Sequence, residues 1–130
     1  MAKIENGILV LIEDEDVKNG EFKIFNNIET IDVCAFGYCH ALEKIRIPNS
    51  VKLIYDFAFE GCDALKEIKI PNSIIEIGIG ILWNCESLEK VIIPNHLQLT
   101  SNWFNENTNL NCIVHHQGKK YTVEDILTYY

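Results

Sequence analysis

The chain lacks any long uninterrupted run of apolar residues, and this excludes a membrane-spanning helix. The longest candidate, residues 74–83, contains a glutamate and two glycines, whereas a spanning helix needs about 20 predominantly apolar residues. The N-terminus also lacks the pattern of a secretory signal, because its short apolar run at residues 8–12 leads into four consecutive acidic residues. We therefore expect no association with a membrane and a cytoplasmic location.

Positive charge is also scarce. The chain has 11 lysines and arginines against 19 aspartates and glutamates, which gives a formal net charge of −8. Such a field disfavours direct binding to DNA, RNA or anionic lipid. It favours basic partners, although a net charge of this size also serves solubility alone.

Motifs for catalysis and metal binding are absent from the sequence. It contains no Gly-x-Ser-x-Gly motif, no glycine-rich phosphate loop and no paired carboxylates of the kind used in acid–base catalysis. The acidic residues 13–16 lack the alternating ligands and the glycine of a calcium loop. His115 and His116 are adjacent and would point to opposite faces of a strand, so they are poorly placed to chelate one ion. We predict that the chain is not an enzyme and that it holds no cofactor and no metal.

The five cysteines show no Cys-x-x-Cys spacing, which disfavours a zinc knuckle. Cys39, Cys62 and Cys85 occupy one position of the repeat described below. They should therefore stack with parallel side chains, an arrangement that does not suit a disulfide. We predict buried, reduced thiols that pack as small apolar residues. An odd number of unpaired thiols fits a reducing compartment.

The three prolines of the chain all mark one position of an internal repeat. Ile-Pro-Asn-Ser occurs at residues 47–50 and 70–73, and Ile-Pro-Asn-His occurs at residues 93–96, so the period is 23 residues. One period earlier, residues 24–27 keep the isoleucine and the asparagine but lack the proline. This period predicts about four repeat units. The predicted units are 24–46, 47–69, 70–92 and 93–115.

Apolar residues recur at fixed places inside each unit. The units carry an Ala-Phe pair, then a cysteine and a leucine, with an Ile-Leu pair replacing Ala-Phe in the third unit. A 23-residue unit cannot close a core alone, but stacked units bury a continuous one. Residues 67–70 alternate between charged and apolar side chains as a strand does, and Pro71 ends that strand because it lacks an N–H donor. We predict a second short strand near residues 51–54 and a helical turn that carries residues 58–59 into the core.

This pattern, Ile-Pro-x-Ser-Val-x-x-Ile followed by Ala-Phe-x-x-Cys-x-x-Leu-x-x-Ile, resembles the leucine-rich repeats of the BspA-like (Treponema-type) family. The resemblance covers residues 24–115. The fourth unit departs from the pattern, since it needs a one-residue deletion before Trp103 and then has Asn107 in the place of the cysteine. The resemblance implies an α/β repeat solenoid whose strand face binds other macromolecules. Members of this family are often surface and adhesion proteins of host-associated microbes.

The segments outside the repeats are predicted to cover the two ends of the stack. Residues 7–12 and 22–25 read as two strands of a β-hairpin that contains an Asn-Gly turn. Near the C-terminus, Thr122 and Asp125 have the spacing of a helix start. The chain is then one structural domain with three parts, a β-hairpin cap at 1–23, leucine-rich repeats at 24–115 and a helical cap at 116–130.

Two surfaces are candidates for binding. The outward positions of the predicted strands form a stripe rich in basic residues, and repeat solenoids bind through this face, although such charges also serve to keep a sheet face wet. The third unit has apolar residues where its siblings have polar, small or aromatic ones. These either form an exposed patch of the kind that marks an interface or repack the core. The candidate partner-binding residues are Lys44, Arg46, Glu67, Lys69, Lys90 and Ile92 on the strands, with Ile75 and Trp83 in the third unit.

These observations favour a non-enzymatic leucine-rich-repeat module that binds another protein and is itself a monomer or a weak dimer. Its expected contacts are the strand face and the apolar patch of the third unit. An alternative gives the negative charge the leading role. It is a small acidic intracellular inhibitor, of the phage-encoded anti-CRISPR type, that blocks the basic channel of a nucleic-acid enzyme. A complex that is lost steeply with added salt would favour the inhibitor.

Overall fold

Short strands separated by tight turns make up most of the regular structure. The computed structural model describes residues 1–130, and single turns of 3-10 helix lie at Asp14–Asp16 and Ser101–Trp103. None of its helices has the length and apolarity needed to cross a membrane. In chain order the other elements are β1 (Lys3–Glu5), β2 (Ile8–Leu11), β3 (Glu21–Lys23), β4 (Thr30–Ile31), β5 (Lys44–Arg46), β6 (Leu53–Ile54), β7 (Glu67–Lys69), β8 (Glu76–Ile77), β9 (Lys90–Ile92), β10 (Ile113–His116), β11 (Lys119–Thr122) and α1 (Val123–Tyr129).

The strands form two sheets that run along the length of the stack. The first sheet has the order β1-β2-β4-β6-β8, and the second has the order β11-β10-β9-β7-β5-β3. Strands pair in parallel within each sheet, except for the antiparallel hairpins β1–β2 and β10–β11. Each full turn of the chain adds one strand to each sheet. This is the architecture of a repeat solenoid, and it confirms the predicted fold class.

The stack has about five turns, which is one more than the four repeat units predicted. The additional turn lies near the N-terminus, where β2 pairs in parallel with β4 and β3 pairs in parallel with β5. Glu21 is opposite Lys44 in the second sheet, so β3 keeps the 23-residue period although its unit lacks the proline. In the first sheet, Leu9 is opposite Ile31, and both side chains are buried.

The predicted pairing of residues 7–12 with residues 22–25 is wrong, because these segments lie in different sheets as β2 and β3. A hairpin does form at the N-terminus, but it joins β1 to β2 through Asn6 and Gly7. Their φ angles of 49° and 78° suit a two-residue hairpin turn. Placing β2 in the stack buries Leu9 and Ile12, and burial of each such side chain stabilises the fold by about 1.5–3 kcal/mol.

The C-terminal end is covered by the β10–β11 hairpin and by α1. The side chain of Thr122 accepts a hydrogen bond from the backbone N–H of Asp125 at 3.1 Å, as the predicted helix start requires. Val123 and Ile126 are the buried residues of this helix. The helix therefore lays its apolar side on the core of the last turn.

One hydrophobic core of 33 buried residues runs through the stack. The Ala-Phe position is buried in every unit, including the replacements at residues 81–82 and 103–104. Phe36 and Phe59 of adjacent units stack with their ring centroids 4.9 Å apart. Ile81 is part of this core, so one of the apolar substitutions in the third unit repacks the interior.

Side chains that follow the repeat prolines bond to the backbone of the preceding turn. Ser50 and Ser73 donate through Oγ to carbonyl oxygens 22 residues earlier, at 2.7 and 2.6 Å. His96 takes the same position in the next unit, and its Nε2 lies 2.7 Å from the carbonyl oxygen of Ile74. Because a carbonyl only accepts, this nitrogen is the protonated one. The position therefore requires a hydrogen-bond donor, and this donor does not have to be a serine hydroxyl.

The cysteine position makes a second ladder of bonds between turns. Cys62 and Cys85 donate through Sγ to carbonyl oxygens 26 residues earlier, at 3.1 and 3.3 Å. In the fourth unit, Thr108 Oγ1 donates to the carbonyl of Leu82 at 2.8 Å, also 26 residues earlier. Thr108, rather than the predicted Asn107, thus takes the place of the cysteine. The chain has recovered the 23-residue spacing by this point.

Two backbone positions in successive units are left-handed, and aromatic rings cover the glycines found there. A Cβ atom on Gly61 would lie 2.3 Å from the Tyr38 ring, and one on Gly80 would lie 2.4 Å from the Phe57 ring. At both glycines an added Cβ atom would clash with the ring on the neighbouring turn, and the left-handed φ angle adds to the preference for glycine. The residues with positive φ at these positions are Cys34, Phe57 and Gly80 in one set and Tyr38, Gly61 and Asn84 in the other.

We expect Gly61→Ala to lower the free energy of unfolding by about 2–4 kcal/mol, because it adds a clash with Tyr38 to the strain of a left-handed alanine. Gly118→Ala is the matched control. Gly118 has a φ of 76°, close to the 72° of Gly61, but open space around its Cβ position, so only the strain of roughly 1–2 kcal/mol applies. Urea unfolding measures both losses. Equal losses would contradict the contact between Tyr38 and Gly61.

Candidate functional site

The outer face of the second sheet presents the residues on either side of each strand's central residue. The central side chains of β7, β9 and β10, which are Ile68, Val91 and Val114, are buried in the core, because side chains alternate along a strand. The parallel register then stacks the flanking residues of successive strands into two rows.

The first row alternates in charge, and we call it the alternating row. It consists of Glu21, Lys44, Glu67, Lys90 and Ile113, each opposite the next. Lys90 Nζ lies 3.7 Å from Glu67 Oε1. Opposite charges on neighbouring strands stabilise a sheet by roughly 0.2–1 kcal/mol per pair, and Glu67–Lys90 is the pair of this row that lies within 4.0 Å.

The second row begins with three cations, and we call Lys23, Arg46 and Lys69 the basic row. Lys23 is opposite Arg46, and the register of β5 with β7 places Lys69 next. The row continues into Ile92 and His115. None of the three cations has a carboxylate within 4.0 Å. Because adjacent strands lie about 4.8 Å apart, the basic row is a line of three neighbouring positive charges, of which Lys23 also has its Nζ 5.8 Å from the centroid of the Phe25 ring.

Two shallow depressions flank Arg46 at the ends of the strands. One, of about 360 Å³, lies between β5 and β7, and the other, of about 550 Å³, lies between β3 and β5. Asparagines of the turns that follow the strands line them beside charged residues of both signs. The polar lining residues are Lys44, Arg46, Asn49, Glu67, Lys69 and Asn72 in the first depression and Glu21, Lys23, Asn26, Lys44 and Arg46 in the second.

The structure brings six of the eight candidate residues together and separates the other two. Lys44, Arg46, Glu67, Lys69, Lys90 and Ile92 share the outer face of the second sheet. Ile75 directly precedes β8 in the first sheet and is 69% exposed. Trp83 lies in the turn after β8, half-buried against Phe57, with ring centroids 5.3 Å apart. The strand-face candidates therefore share one surface, and Ile75 belongs to a second one, whose lining does not include Trp83.

The second surface is an apolar groove beside the open edge of β8. No strand pairs with the far side of β8, because residues 97–100 leave the ladder just before the one-residue deletion. The residues that we call the apolar groove are Ile75, Ile77, Leu97, Leu99, Trp103 and Tyr130. Only Ile75 of these was a candidate from the sequence. The irregular sequence of the fourth unit indicated that the repeat is disturbed there. It did not indicate which side chains surround the open edge of β8.

Chemically reactive side chains do not gather at either surface. No three His, Cys, Asp or Glu residues lie close enough to hold a metal ion together. His40 Nδ1 lies 3.0 Å from Asp63 Oδ1, and this hydrogen bond raises the pKa of His40. The indole N–H of Trp83 is buried without a hydrogen-bond partner.

The comparisons with known proteins point to one family. A family model described as "BspA type Leucine rich repeat region (6 copies)" matches residues 15–127. A leucine-rich repeat protein from Eubacterium ventriosum ATCC 27560 is 30% identical with a TM-score of 0.64, over 80% of this chain and 29% of that chain. A leucine rich cell surface protein from Faecalibacterium prausnitzii A2-165 is 28% identical with a TM-score of 0.69, over 79% of this chain and 27% of that chain.

A more distant structure shares the fold. The T. pallidum Leucine Rich Repeat protein is 24% identical with a TM-score of 0.60, over 75% of this chain and 45% of that chain. The chain thus spans less than half the length of each of these three solved chains. None of the curated proteins is significantly similar to it.

We expect one of the five thiols to react quickly with a thiol reagent in the native protein. Cys34 is exposed and the other four are buried. Burial raises the pKa of Cys39 to about 11 and of Cys85 and Cys112 to about 12, which keeps these groups as unreactive thiols. Labelling at mildly alkaline pH should give one modified cysteine per chain before unfolding and five after it. Rapid labelling of a Cys34→Ser variant would contradict this assignment.

Proposed function

The chain belongs to the BspA-type leucine-rich repeat family, and from that premise we propose that it is a non-enzymatic module that binds another protein. Repeat solenoids offer extended concave surfaces to their partners. The observation that carries the proposal is the outer face of the second sheet, where long charged side chains project in rows from a hydrogen-bonded stack.

The strand face supplies the proposed primary contacts. Its backbone is already ordered by the parallel ladder, so a partner binds there with little loss of backbone entropy. Ile92 lies among the charged residues and is only half-buried, which offers a partner an apolar contact. The proposed contact residues are Lys44, Arg46, Glu67, Lys69, Lys90 and Ile92.

The apolar groove is the proposed secondary contact. Ile75 and Tyr130 are 69% and 56% exposed, and contiguous exposed apolar surface is typical of interaction sites. The same groove offers a route to a weak dimer at high concentration. Trp83 contributes less than its sequence position indicated, because its indole ring packs on Phe57.

A cytoplasmic location is a further part of the proposal. All five cysteines are free, and free thiols in this number fit a reducing compartment. One similar protein is described as a cell surface protein, which is the competing location. Fractionation of source cells, with blotting of each fraction for the chain, separates the two locations.

The acidic inhibitor receives little support from the arrangement of the carboxylates. Asp14 Oδ1 accepts the backbone N–H of Ala41 at 2.9 Å, and Asp16 Oδ2 accepts that of Glu13 at 2.9 Å. These bonds lower the pKa of both aspartates. Half of the acidic run at residues 13–16 thus serves the first turn of the stack, and the inhibitor stays a prediction from net charge.

We expect the triple variant Lys44→Ala, Arg46→Ala and Lys69→Ala to lose its protein partner when immobilised protein captures partners from a source lysate. Three exposed contacts that each contribute a fraction of a kcal/mol amount to a loss of about tenfold in affinity. The captured proteins are quantified by mass spectrometry at low and at high salt. A nucleic-acid enzyme that the triple variant captures as strongly as the native chain does would favour the acidic inhibitor, because that inhibitor binds through its carboxylates.

The matched control is Lys3→Ala, Lys18→Ala and Lys52→Ala. These three lysines are also exposed and belong to neither row, although Lys18 bridges to Glu21 through its backbone, and the variant loses the same three positive charges. Its capture should equal that of the native chain. Equal capture by the strand-face variant would reject the strand face as the binding surface.

A further inference from the structure

We propose that the basic row binds an acidic α-helix that lies along the solenoid axis, with three of its carboxylates facing Lys23, Arg46 and Lys69. The inference rests on the proposed protein-binding function and adds the chemical class and the conformation of the partner. The row crosses β3, β5 and β7, so the helix lies roughly at right angles to the strands.

The first argument is that the basic row places three like charges side by side on neighbouring strands. The chain has 19 acidic residues against 11 basic ones, yet no carboxylate lies within 4.0 Å of Lys23, Arg46 or Lys69. The adjacent alternating row shows that carboxylates fit on this face, since Glu67 stands between Lys44 and Lys90. Like charges on neighbouring strands destabilise a sheet. A partner with negative charges removes that repulsion.

The second argument is the spacing of the cations. Strands about 4.8 Å apart place the first and third cations about 10 Å apart. On an α-helix, residues i, i+4 and i+7 share one face and span about 10.5 Å along the axis. An extended peptide repeats its side chains on one face about every 6.6 Å, so three of them span about 13 Å. The row therefore matches a helix better than a strand.

The third argument concerns how the row continues. Beyond Lys69 the next member is Ile92, followed by His115. Ile92 is half-buried and lies beside Ile113 of the alternating row on the same face. A helix that places acidic residues on three successive turns should therefore have an apolar residue on the fourth turn, near position i+11.

The fourth argument is the surroundings of the central cation. Arg46 lies between the two depressions, with Asn49 and Glu67 lining one and Asn26 and Glu21 lining the other. A guanidinium group binds a carboxylate through two parallel hydrogen bonds, and the asparagine amides are further donors nearby. A carboxylate from the middle of the helix fits this position. Polyphosphates such as RNA carry the same sign of charge, but the net charge of −8 repels a long polyanion.

The test uses two alanine-rich peptides of about 20 residues, a length at which a helix forms in water. The registered peptide has glutamates at i, i+4 and i+7 and leucine at i+11. The permuted peptide has the same composition, with its glutamates on different sides of the helix, and circular dichroism checks that both are equally helical. We expect the registered peptide to bind about tenfold more tightly in a titration at low salt.

Charge reversal locates the binding site. The variant Lys23→Glu, Arg46→Glu and Lys69→Glu should lose the registered peptide and should bind instead a peptide with lysines at the same three positions. The control variant Lys3→Glu, Lys18→Glu and Lys52→Glu has the same net charge and should lose less than a few-fold in affinity. Thermal unfolding checks that both variants are folded, and the recovered binding of the lysine peptide shows in addition that the reversed face is intact.

Three results overturn the proposal. Equal affinity of the registered and permuted peptides would show that the helical spacing of the glutamates does not determine binding. Unchanged affinity of the reversed variant for the registered peptide would show that the basic row is not the binding site. Tighter binding of poly(U) RNA than of the registered peptide assigns the row to nucleic acid. If the peptide fails while partner capture still depends on Lys44, Arg46 and Lys69, the proposed protein-binding function stands and only the helix is rejected.

Discussion

The hydrogen bonding between successive turns is the constraint on which the rest of the structure depends. Lys52 N–H donates to Glu29 O, and one period later Ile75 N–H donates to Lys52 O, both at 2.8 Å. Each residue is thereby fixed over the residue 23 positions earlier. Side chains that recur with this period therefore form a line of stacked residues along the solenoid axis. The core, the thiol ladder, the rings over glycines and the charged rows are all such lines.

The same constraint explains which substitutions the stack tolerates. A side chain at a repeat position must make the contact or hydrogen bond that the preceding turn requires, and more than one residue type can make it. His96 replaces a serine and still reaches the carbonyl oxygen of Ile74, and Thr108 replaces a cysteine and still reaches that of Leu82. Buried carbonyl groups are costly to leave without a donor. Donors are therefore retained where the sequence pattern itself is lost.

The sequence was informative where the pattern was regular and misleading at its ends. The period, the stacked strands and the buried thiols of Cys39, Cys62 and Cys85 follow from residues that recur every 23 positions, and the C-terminal helix follows from the spacing of Thr122 and Asp125. The first turn was missed because its unit has neither the proline nor the Ala-Phe pair, and only its register in the sheets places it. Lys23 was assigned to a hairpin cap for the same reason. Without Lys23, the outward residues of the strands were interpreted as one stripe rich in basic residues, and the two separate rows were not recognised. Ile75 and Trp83 are close in sequence, but their spacing did not predict that Ile75 lines the apolar groove whereas Trp83 packs against Phe57.

The difference between the two rows is not required by the fold. Both rows point outward from the same strands, so the stack accommodates either charge at either position. In the alternating row Glu67 stands between two lysines and pairs with Lys90, whereas Arg46 lies between two other cations although acidic residues are abundant in the chain. A local rule that is broken in the free protein is the pattern expected of a functional surface. In the proposed function, the alternating row then borders the contact and the basic row selects the partner.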